Sequence, residues 1–337
     1  MSISPRRARR VSMVDVARAA GVSQKTVSRV VNDEPYVTDE VRDRVQAAIA
    51  ELGFHPNDAA RALVTRRTRR IGVVTMGGTT LHGPISVLAG VEDEARRAGY
   101  ALSIVSTTPG GGSEVQDAVD SLTNQGVEAI VISEPKDIGD TPIRVAEGIE
   151  VLTFSSEPIT TSTREFLAAS DERIGARTAT EHLFTRAARV DHISGPMDWL
   201  ASRIRRAGWQ DAYQNRPLPD PIEGDWSPAS GERTMRELLR RESRAVFVAN
   251  DAMAIGAMSA IHEAGLRVGD DVALVGYDDL DIDPFLTPPL SSVRRNFRDA
   301  ARVGMRELLN RLDGVDPSDP PGFVPAVLVA RGSSTTA

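Results

Sequence analysis

The pattern of apolar and polar positions changes near residue 70. Beyond that point, short continuous apolar runs predict strands, at residues 71–75, 101–106, 129–133, 151–154, 190–194, 245–249 and 272–277. Between these runs, apolar positions at helical spacing predict helices, at residues 84–98, 113–124, 171–186, 202–214, 231–240 and 251–264. Continuous apolar strands that alternate with helices are typical of parallel sheets covered on both faces. The seven predicted strands are more than one doubly wound unit needs. We therefore predict two such lobes with a cleft between them.

The segment before residue 70 carries the start and stop signals of short helices. Ser12 and Asp15 have the Ser/Thr-x-x-Asp/Glu spacing of a capping box, in which the two side chains bond amides at the helix start. Gly21 can take the positive φ that ends this helix, and Ser23 can cap a second helix over Gln24–Val31. Two short helices joined by such a turn form a helix-turn-helix.

A third helix and a basic linker complete this amino-terminal part. The third helix begins at Thr38 and carries one apolar stripe that closes a small core, formed by Val41, Val45, Ile49 and Leu52. A helix over residues 57–63, capped by Asn57, is too short to persist alone in water.

These signals divide the chain into four parts. We predict a basic arm at 1–10, a helix-turn-helix domain at 11–56, a hinge and linker at 57–70 and a two-lobed core at 71–333.

Composition narrows the function. The 337 residues include no cysteine, which excludes disulfides, thiolate metal sites and thiol nucleophiles. No apolar leader follows the arginines of the first ten residues, and no apolar run is long enough to span a membrane, so we expect a cytoplasmic, nucleoid-associated protein. Residues 1–70 carry a net charge of +6 and the rest −13. A basic head on an acidic body is typical of a protein whose head binds nucleic acid, although a solvated basic tail would give the same balance.

Two ordered blocks carry a resemblance to a known family. The strings VSMVDVARAAGVSQKTVSRVVND and AAIAELGFHPNDAARALVTRRTRRIGVV resemble the DNA-binding head and hinge of the LacI/GalR family of bacterial transcriptional repressors. The similarity continues through GPMDWLASRIRRAGW, FVANDAMAIGAMSAIHEAGLRVGDDVALVGYDD and PPLSSVRRNF, and covers nearly the whole chain. It implies an all-α helix-turn-helix domain followed by a periplasmic-binding-protein-like α/β core of two doubly wound parallel-sheet lobes. By this resemblance, lobe 1 comprises about 71–165 and 297–322, and lobe 2 about 168–294 and 325–333. Three chain crossings would join the lobes, near 164–170, 294–298 and 322–326.

The resemblance implies that the second helix lies in the major groove of an operator. Gln24, Lys25 and Arg29 would then meet base edges, because Gln suits adenine and Lys or Arg suits guanine. Short polar side chains would contact phosphates and fix the register, namely Ser23, Thr26, Ser28 and Asn32. A phosphate-cradling loop over GVSQKT is excluded, because Gln24 replaces the required glycine and a helix rather than a strand precedes it.

By the same resemblance, the hinge helices of two subunits fold side by side in the minor groove. Leu63 of each subunit would insert between base pairs and kink the duplex, while Ala60 allows close approach and Asn57 caps the helix. A homodimer is implied, since one head reads only half of a two-fold site. We expect Leu63→Ala to weaken operator binding and to leave effector binding intact. The carboxyl-terminal tail has no leucine heptads, so a coiled-coil route to a tetramer is not expected.

For the core, the resemblance implies a carbohydrate effector bound between the lobes. Arg205, Asn250 and Asp278 would bond sugar hydroxyls. Trp226 would form the apolar face under the sugar ring, and Phe297 would lie near the pocket wall. Neither a cofactor nor a metal ion is implied.

Two positions depart from the pattern of the galactoside-type family members. Ser155 stands in the stretch where those members carry an acidic residue, and Arg295 stands where they carry Gln. Both changes would make the pocket more positive. A galactoside-like ligand remains the first expectation, and the two changes indicate the alternatives, which are a ligand with an acidic group or a different oligosaccharide.

Two other classes of function compete with this one. A sugar-processing enzyme could use the carboxylates Asp278, Asp279, Asp281 and Asp283, but the chain has no G-x-S-x-G, no H-E-x-x-H and no glycine-rich nucleotide motif. A periplasmic sugar-binding protein would share the fold of the core, but the basic head and the missing leader argue against it.

Overall fold

The computed structural model describes residues 11–32, 34–54, 62, 67–76, 82–107, 112–133, 142–315 and 323–335. The chain divides into two compact units, Met1–Thr68 and Arg69–Ala337. None of the helices in the described ranges combines the length and the apolar character that crossing a lipid bilayer requires.

The amino-terminal unit is a three-helix domain with α1 at Met13–Ala20, α2 at Gln24–Val31 and α3 at Asp39–Leu52. The predicted capping box is present: the Ser12 amide donates to Asp15 Oδ2 at 2.9 Å, and the Asp15 amide donates to Ser12 Oγ at 3.4 Å. Gly21 ends α1 with a φ of 64°. The fully buried side chains of Val16, Val27 and Val45 bring one residue from each helix into the core.

The first lobe of the core unit is built on a parallel five-stranded sheet in the order β2-β1-β3-β4-β5. The strands are β1 Arg70–Met76, β2 Ala101–Thr107, β3 Ala129–Ser133, β4 Glu150–Phe154 and β5 Glu165–Leu167. Its helices are α4 His82–Arg97 and α5 Gly112–Asn124. Every residue of β3 and β4 is buried, as the continuous apolar runs predict.

The second lobe contains a six-stranded sheet in the order β11-β10-β9-β8-β6-β7. The strands are β6 Asp191–Ser194, β7 Ile222–Glu223, β8 Ala245–Val248, β9 Ala273–Asp278, β10 Ser291–Arg294 and β11 Val327–Val329. The helices are α6 Glu172–Leu183, α7 Leu200–Tyr213, α8 Pro228–Arg240 and α9 Asp251–Glu263. A short 3-10 helix at Asp283–Phe285 precedes β10.

The two predicted sheets are confirmed, with one correction: β11 pairs antiparallel with β10, so the second sheet is mixed rather than wholly parallel. The chain reaches β11 on its return from the first lobe. The strand β11 therefore begins at the edge of the sheet where the parallel strand β10 ends. The strands β5, β7, β10 and β11 were not predicted from the sequence. They have only two to four residues each and lack the long apolar runs by which the other strands were recognised.

One helix was also missed, and it belongs to the first lobe. Helix α10, Phe297–Leu312, follows β10 of the second sheet and packs against α4 and β4 of the first. Gly304 permits this approach, since a Cβ there would come within 2.9 Å of Ala168 and 3.0 Å of Leu152. Two chain crossings are tied together where the Asp171 amide donates to the Val324 carbonyl at 3.0 Å and the Val324 amide to the Ala169 carbonyl at 2.9 Å.

Candidate DNA-binding surface and effector pocket

The amino-terminal end of α2 presents exposed polar side chains. Val27 and Val30 are buried and fix which face of the helix meets the core. Gln24 and Lys25 occupy the first two positions of the helix and are exposed. The unpaired amides at a helix start also favour anions such as phosphate. The structure therefore offers two of the three predicted base-reading side chains on an accessible helix end.

The other predicted DNA-contacting residues of α2 make contacts within the domain. Ser23 Oγ accepts from the Thr26 amide at 3.1 Å and lies 2.9 Å from Thr26 Oγ1. Asn32 Nδ2 donates to Ser28 Oγ at 3.3 Å.

Arg29, the third predicted base-reading residue, forms an ion pair at the surface. Its Nε lies 3.6 Å from Glu34 Oε2, and both side chains are partly exposed. The predicted hinge contacts Asn57, Ala60 and Leu63 lie outside the residues that the structure describes.

In the second lobe, Arg205 lies at the centre of a buried polar cluster. Its side chain is only 3% exposed and packs over the ring of Tyr277, with 4.1 Å between the guanidinium carbon and the ring centroid. Arg205 Nη1 donates to the Ala249 carbonyl at 2.5 Å, and Nη2 lies 3.5 Å from Asp278 Oδ1. Burial alone would lower the pKa of Arg205, but the carboxylates of Glu172 and Asp278 more than offset it, and the net shift is upward.

Asn250 connects the start of α9 to the backbone of Trp226. Asn250 caps α9, where its Oδ1 accepts from the Met253 amide at 2.9 Å, and its Nδ2 donates to the Trp226 carbonyl at 3.2 Å. A carboxamide has two donor hydrogens and two acceptor lone pairs, so each group keeps capacity for one more bond.

Trp226 is held in an unusual backbone conformation, with a φ of 71°. Its ring meets Trp199 edge-on at 6.1 Å and lies 5.7 Å from the guanidinium of Arg205. The indole is therefore fixed beside the polar cluster, as an apolar face under a sugar ring would have to be.

Asp278 ends β9 with a φ of 113°, so the chain turns sharply where its carboxylate meets Arg205. The next residue, Asp279, accepts from Arg294 Nε and Arg331 Nη2, both at 2.6 Å. Within the residues that the structure describes, no group of histidine, cysteine and carboxylate side chains is arranged to hold a metal ion.

Glu172 is the residue of this site that sequence reasoning missed. It is the first residue of α6, and its two oxygens bind two arginines: Oε2 accepts from Arg205 Nε and Oε1 from Arg295 Nη2, both at 2.8 Å. Burial raises the pKa of Glu172, but the positive charges of Arg295 and Arg205 together lower it more, and the carboxyl stays ionised. Only an acidic residue at a helix start signals it in the sequence, and that feature is common.

This pairing corrects the expectation that Arg295 makes the pocket more positive. The Arg295 side chain is 5% exposed, bonded to Glu172 and 3.8 Å from Asp278 Oδ1. The four side chains Glu172, Arg205, Asp278 and Arg295 carry two positive and two negative charges, so the positive charge of Arg295 is balanced within the cluster.

The structure brings Phe297 to the cluster but not Ser155. The guanidinium carbon of Arg295 lies 4.1 Å from the centroid of the Phe297 ring. The Phe297 side chain also belongs to the hydrophobic core of the first lobe. Ser155 is buried at the end of β4, where its Oγ accepts from the Glu157 amide at 3.0 Å and stabilises a turn.

A cavity of about 500 Å³ lies beside the chain crossings. None of the predicted pocket residues lines this cavity, although Glu172 does. Its other lining residues are Ser156, Glu157, Ser170, Asp171, Arg173, Leu200, Arg203, Ile204, Ala207 and Phe323.

A helix-turn-helix head on a two-lobed α/β core, with charged and aromatic side chains gathered at one sheet edge, defines a ligand-responsive DNA-binding regulator. Residues 12–57 match the family model of bacterial regulatory proteins of the lacI family, and residues 180–334 match a periplasmic binding protein-like domain. The lactose operon repressor of Escherichia coli K12 is 34% identical over 310 residues, which cover 90% of this chain and 85% of that protein. The chain belongs to the lacI family, and the resemblance seen in the sequence is confirmed.

Further relatives agree with this assignment. The ribose operon repressor of Escherichia coli K12 is 29% identical over 332 residues, covering 96% of this chain and 99% of that protein. A crystal structure of the lac repressor dimer bound to operator and the anti-inducer ONPF has a TM-score of 0.84 at 30% identity, covering 97% of this chain and all of that one. A complex of the transcriptional regulator CelR with cellobiose has a TM-score of 0.67 at 26% identity, covering 96% of this chain. Members of this family are transcriptional regulators, so the chain is not an enzyme.

Proposed function

We propose that this protein is a repressor of sugar-utilisation genes that binds a palindromic operator as a homodimer and is released from it by a carbohydrate. The observation that carries the effector part is the meeting of Arg205, Asn250, Asp278 and Trp226 at one edge of the second sheet. Charge-assisted donors, a carboxylate acceptor, an amide and a flat apolar ring form the combination that a sugar with neighbouring hydroxyls requires.

The preformed geometry supports carbohydrate binding. Arg205 is fixed by Glu172 and the Ala249 carbonyl, so little side-chain freedom is lost when a hydroxyl takes up a further bond. Asn250, which holds the backbone carbonyl of Trp226, keeps one donor hydrogen and one acceptor lone pair. The sugar ring would stack on Trp226 while its hydroxyls bond the polar groups beside it.

The head supports operator binding through α2. Gln24 and Lys25 are exposed at the helix start and can reach adenine and guanine edges, which contributes about 1–3 kcal/mol of discrimination for each good pair. Arg29 would exchange its contact with Glu34 for a base or phosphate. Ser23, Thr26, Ser28 and Asn32 would contact the backbone, and Asn57, Ala60 and Leu63 would supply the minor-groove contacts.

Release would follow from a two-state rearrangement of the lobes. A ligand shifts such an equilibrium only by its different affinity for the two states. The cluster includes Arg295 from one chain crossing and Glu172 next to another. A sugar that bonds Arg205 or Asp278 therefore acts on residues that join the lobes.

Fluorescence anisotropy with labelled genomic duplexes tests the proposal. We expect binding at low ionic strength, salt sensitivity, and release by at least one neutral sugar from a panel of galactosides, glucosides, cellobiose and ribose. Gln24→Ala should weaken specific DNA binding and leave sugar binding intact. Arg205→Ala should weaken sugar binding and leave specific DNA binding intact. A protein that binds none of the duplexes, or whose only ligand is a purine or an amino acid, contradicts the proposal.

A further inference from the structure

In the buried cluster, the two carboxylates and the two guanidinium groups alternate in space. Glu172 lies between Arg205 and Arg295, and Asp278 Oδ1 faces the same two arginines at 3.5 and 3.8 Å. All four side chains are at most 11% exposed. Charges in such surroundings interact strongly, because little water screens them.

We propose that Glu172 sets the charge of the effector: the Glu172–Arg295 pair makes the pocket selective for uncharged carbohydrates over acidic ones. This inference rests on the proposed function, because it assumes that the effector binds at the Arg205–Asp278 cluster. Arg295 alone indicates a ligand with an acidic group, whereas the Glu172–Arg295 pair indicates an uncharged one.

The geometry explains the selectivity. Each oxygen of Glu172 already accepts from one arginine, so an acidic sugar would compete with a bound carboxylate for both cations. A neutral hydroxyl needs no such exchange, since it can use donor hydrogens and lone pairs that the cluster leaves unused. An additional buried negative charge would find no matching positive charge, which is strongly unfavourable.

Without the Glu172 charge, the cluster is no longer neutral. Arg205 and Arg295 would face Asp278 alone, and the cluster would carry one net positive charge beside the sugar. A carboxylate on the ligand could then supply the negative charge that the two arginines lack. Glu172→Gln keeps the size and one acceptor oxygen of the side chain, so it changes the charge with little change in shape.

The test measures dissociation constants by calorimetry for matched pairs of ligands: methyl β-D-galactopyranoside with its uronic acid, methyl β-D-glucopyranoside with its uronic acid, and cellobiose with cellobiouronic acid. We expect the wild-type chain to bind a neutral member more tightly than its acidic partner. In Glu172→Gln the affinity ratio should move at least tenfold toward the acidic partner. The double variant Glu172→Gln/Arg295→Gln, which restores the charge balance, should move the ratio back.

A matched control comes from the first lobe. Glu150 is also buried and also paired with two arginines, Arg164 at 2.6 Å and Arg311 at 3.7 Å. Glu150→Gln removes the same charge away from the cluster and should leave the ligand ratio unchanged. If Glu172 has only a structural role, Glu172→Gln weakens both members of a pair equally.

The outcomes separate the two proposals. A wild-type chain that binds the acidic member better, or a ratio that Glu172→Gln does not move, overturns the role of Glu172 and leaves a sugar-responsive repressor. A wild-type chain that binds none of these sugars, and is released from DNA by none, overturns the proposed function itself.

Discussion

The indole of Trp226 lies so close to Gly195 that no side chain fits between them. A Cβ placed on Gly195 would overlap three atoms of the six-membered ring. Gly195 follows β6 directly, so the backbone of the second sheet itself supports the ring. Together with Asn250, which holds the Trp226 carbonyl, this contact fixes the apolar face of the candidate pocket.

We expect Gly195→Ala to displace this ring and to weaken sugar binding at least tenfold, while operator binding is retained. The added methyl group would overlap the indole, so the ring must leave the position from which it would contact the sugar. Calorimetry with the releasing sugar measures the loss.

Gly314→Ala is the control for this variant. Gly314 has a φ of 74° and open space around the added Cβ, so its substitution strains the backbone without touching the pocket. Equal sugar affinity in Gly195→Ala and the wild type would show that the position of Trp226 does not matter for binding.

Glu34→Gln should raise operator affinity several-fold at low salt. The substitution removes a carboxylate 3.6 Å from Arg29 Nε and thereby frees a cation for the DNA. Since the interaction is partly exposed, the gain should shrink as salt rises. Anisotropy titrations at two salt concentrations measure it.

Glu51→Gln removes an exposed charge from the last turn of α3 and should change affinity less. A loss of affinity in Glu34→Gln would instead make the ion pair part of the DNA-binding conformation.

Ser12→Ala should destabilise the amino-terminal domain by about 1 kcal/mol, the usual loss for a side-chain cap. Ser12 and Asp15 satisfy each other's amides at the start of α1, so the substitution removes a reciprocal pair of bonds. Thr38→Ala should cost less, because the Thr38 side chain makes no capping bond to α3. Hydrogen exchange of α1 and α3 in the full chain measures both. Equal effects of the two substitutions would contradict the role of the box.

Asp283→Asn should flatten the dependence of stability on pH between about 4 and 7. Asp283 and Asp251 are fully buried neighbours, and burial raises the pKa of Asp283 to about 6. This pKa is the net result: the contact with the Asp251 carboxyl and the positive charge of Arg331 lower it, whereas the negative charge of Asp279 raises it. Burial, Asp283 and Asp278 raise the pKa of Asp251, against the hydrogen bond from Ser292.

The sign of this effect follows from proton uptake. The folded state binds more protons than the unfolded state between the ordinary pKa of 3.8 and about 6, so this pair stabilises the fold below that range and loses its contribution as pH rises through it. Asp283→Asn should therefore be more stable than the wild type near pH 8, by about 1–3 kcal/mol, with the difference vanishing near pH 4. Thermal unfolding across this pH range measures the effect. A variant that is less stable at pH 8 would refute it.

Short-range signals made much of this fold predictable from the sequence. The capping box, Gly21 and the cap at Ser23 act within a few residues of one another, so they define the helix-turn-helix without any distant contact. The long buried strands of both lobes were equally clear, because burial on both faces requires continuous apolar runs. The strings that resemble the lacI family then pointed to Arg205, Asn250, Asp278 and Trp226 before any of their contacts were known.

The sequence by itself therefore determined the order of the domains, the two sheets and, apart from Glu172, the chemical types of side chain in the candidate pocket. Only the tertiary structure decided the charge of that pocket. Glu172 and Arg295 are 123 residues apart and meet because two chain crossings lie side by side. Spacing along the chain records local backbone preference, whereas pairing between distant residues depends on where the folded chain brings them together.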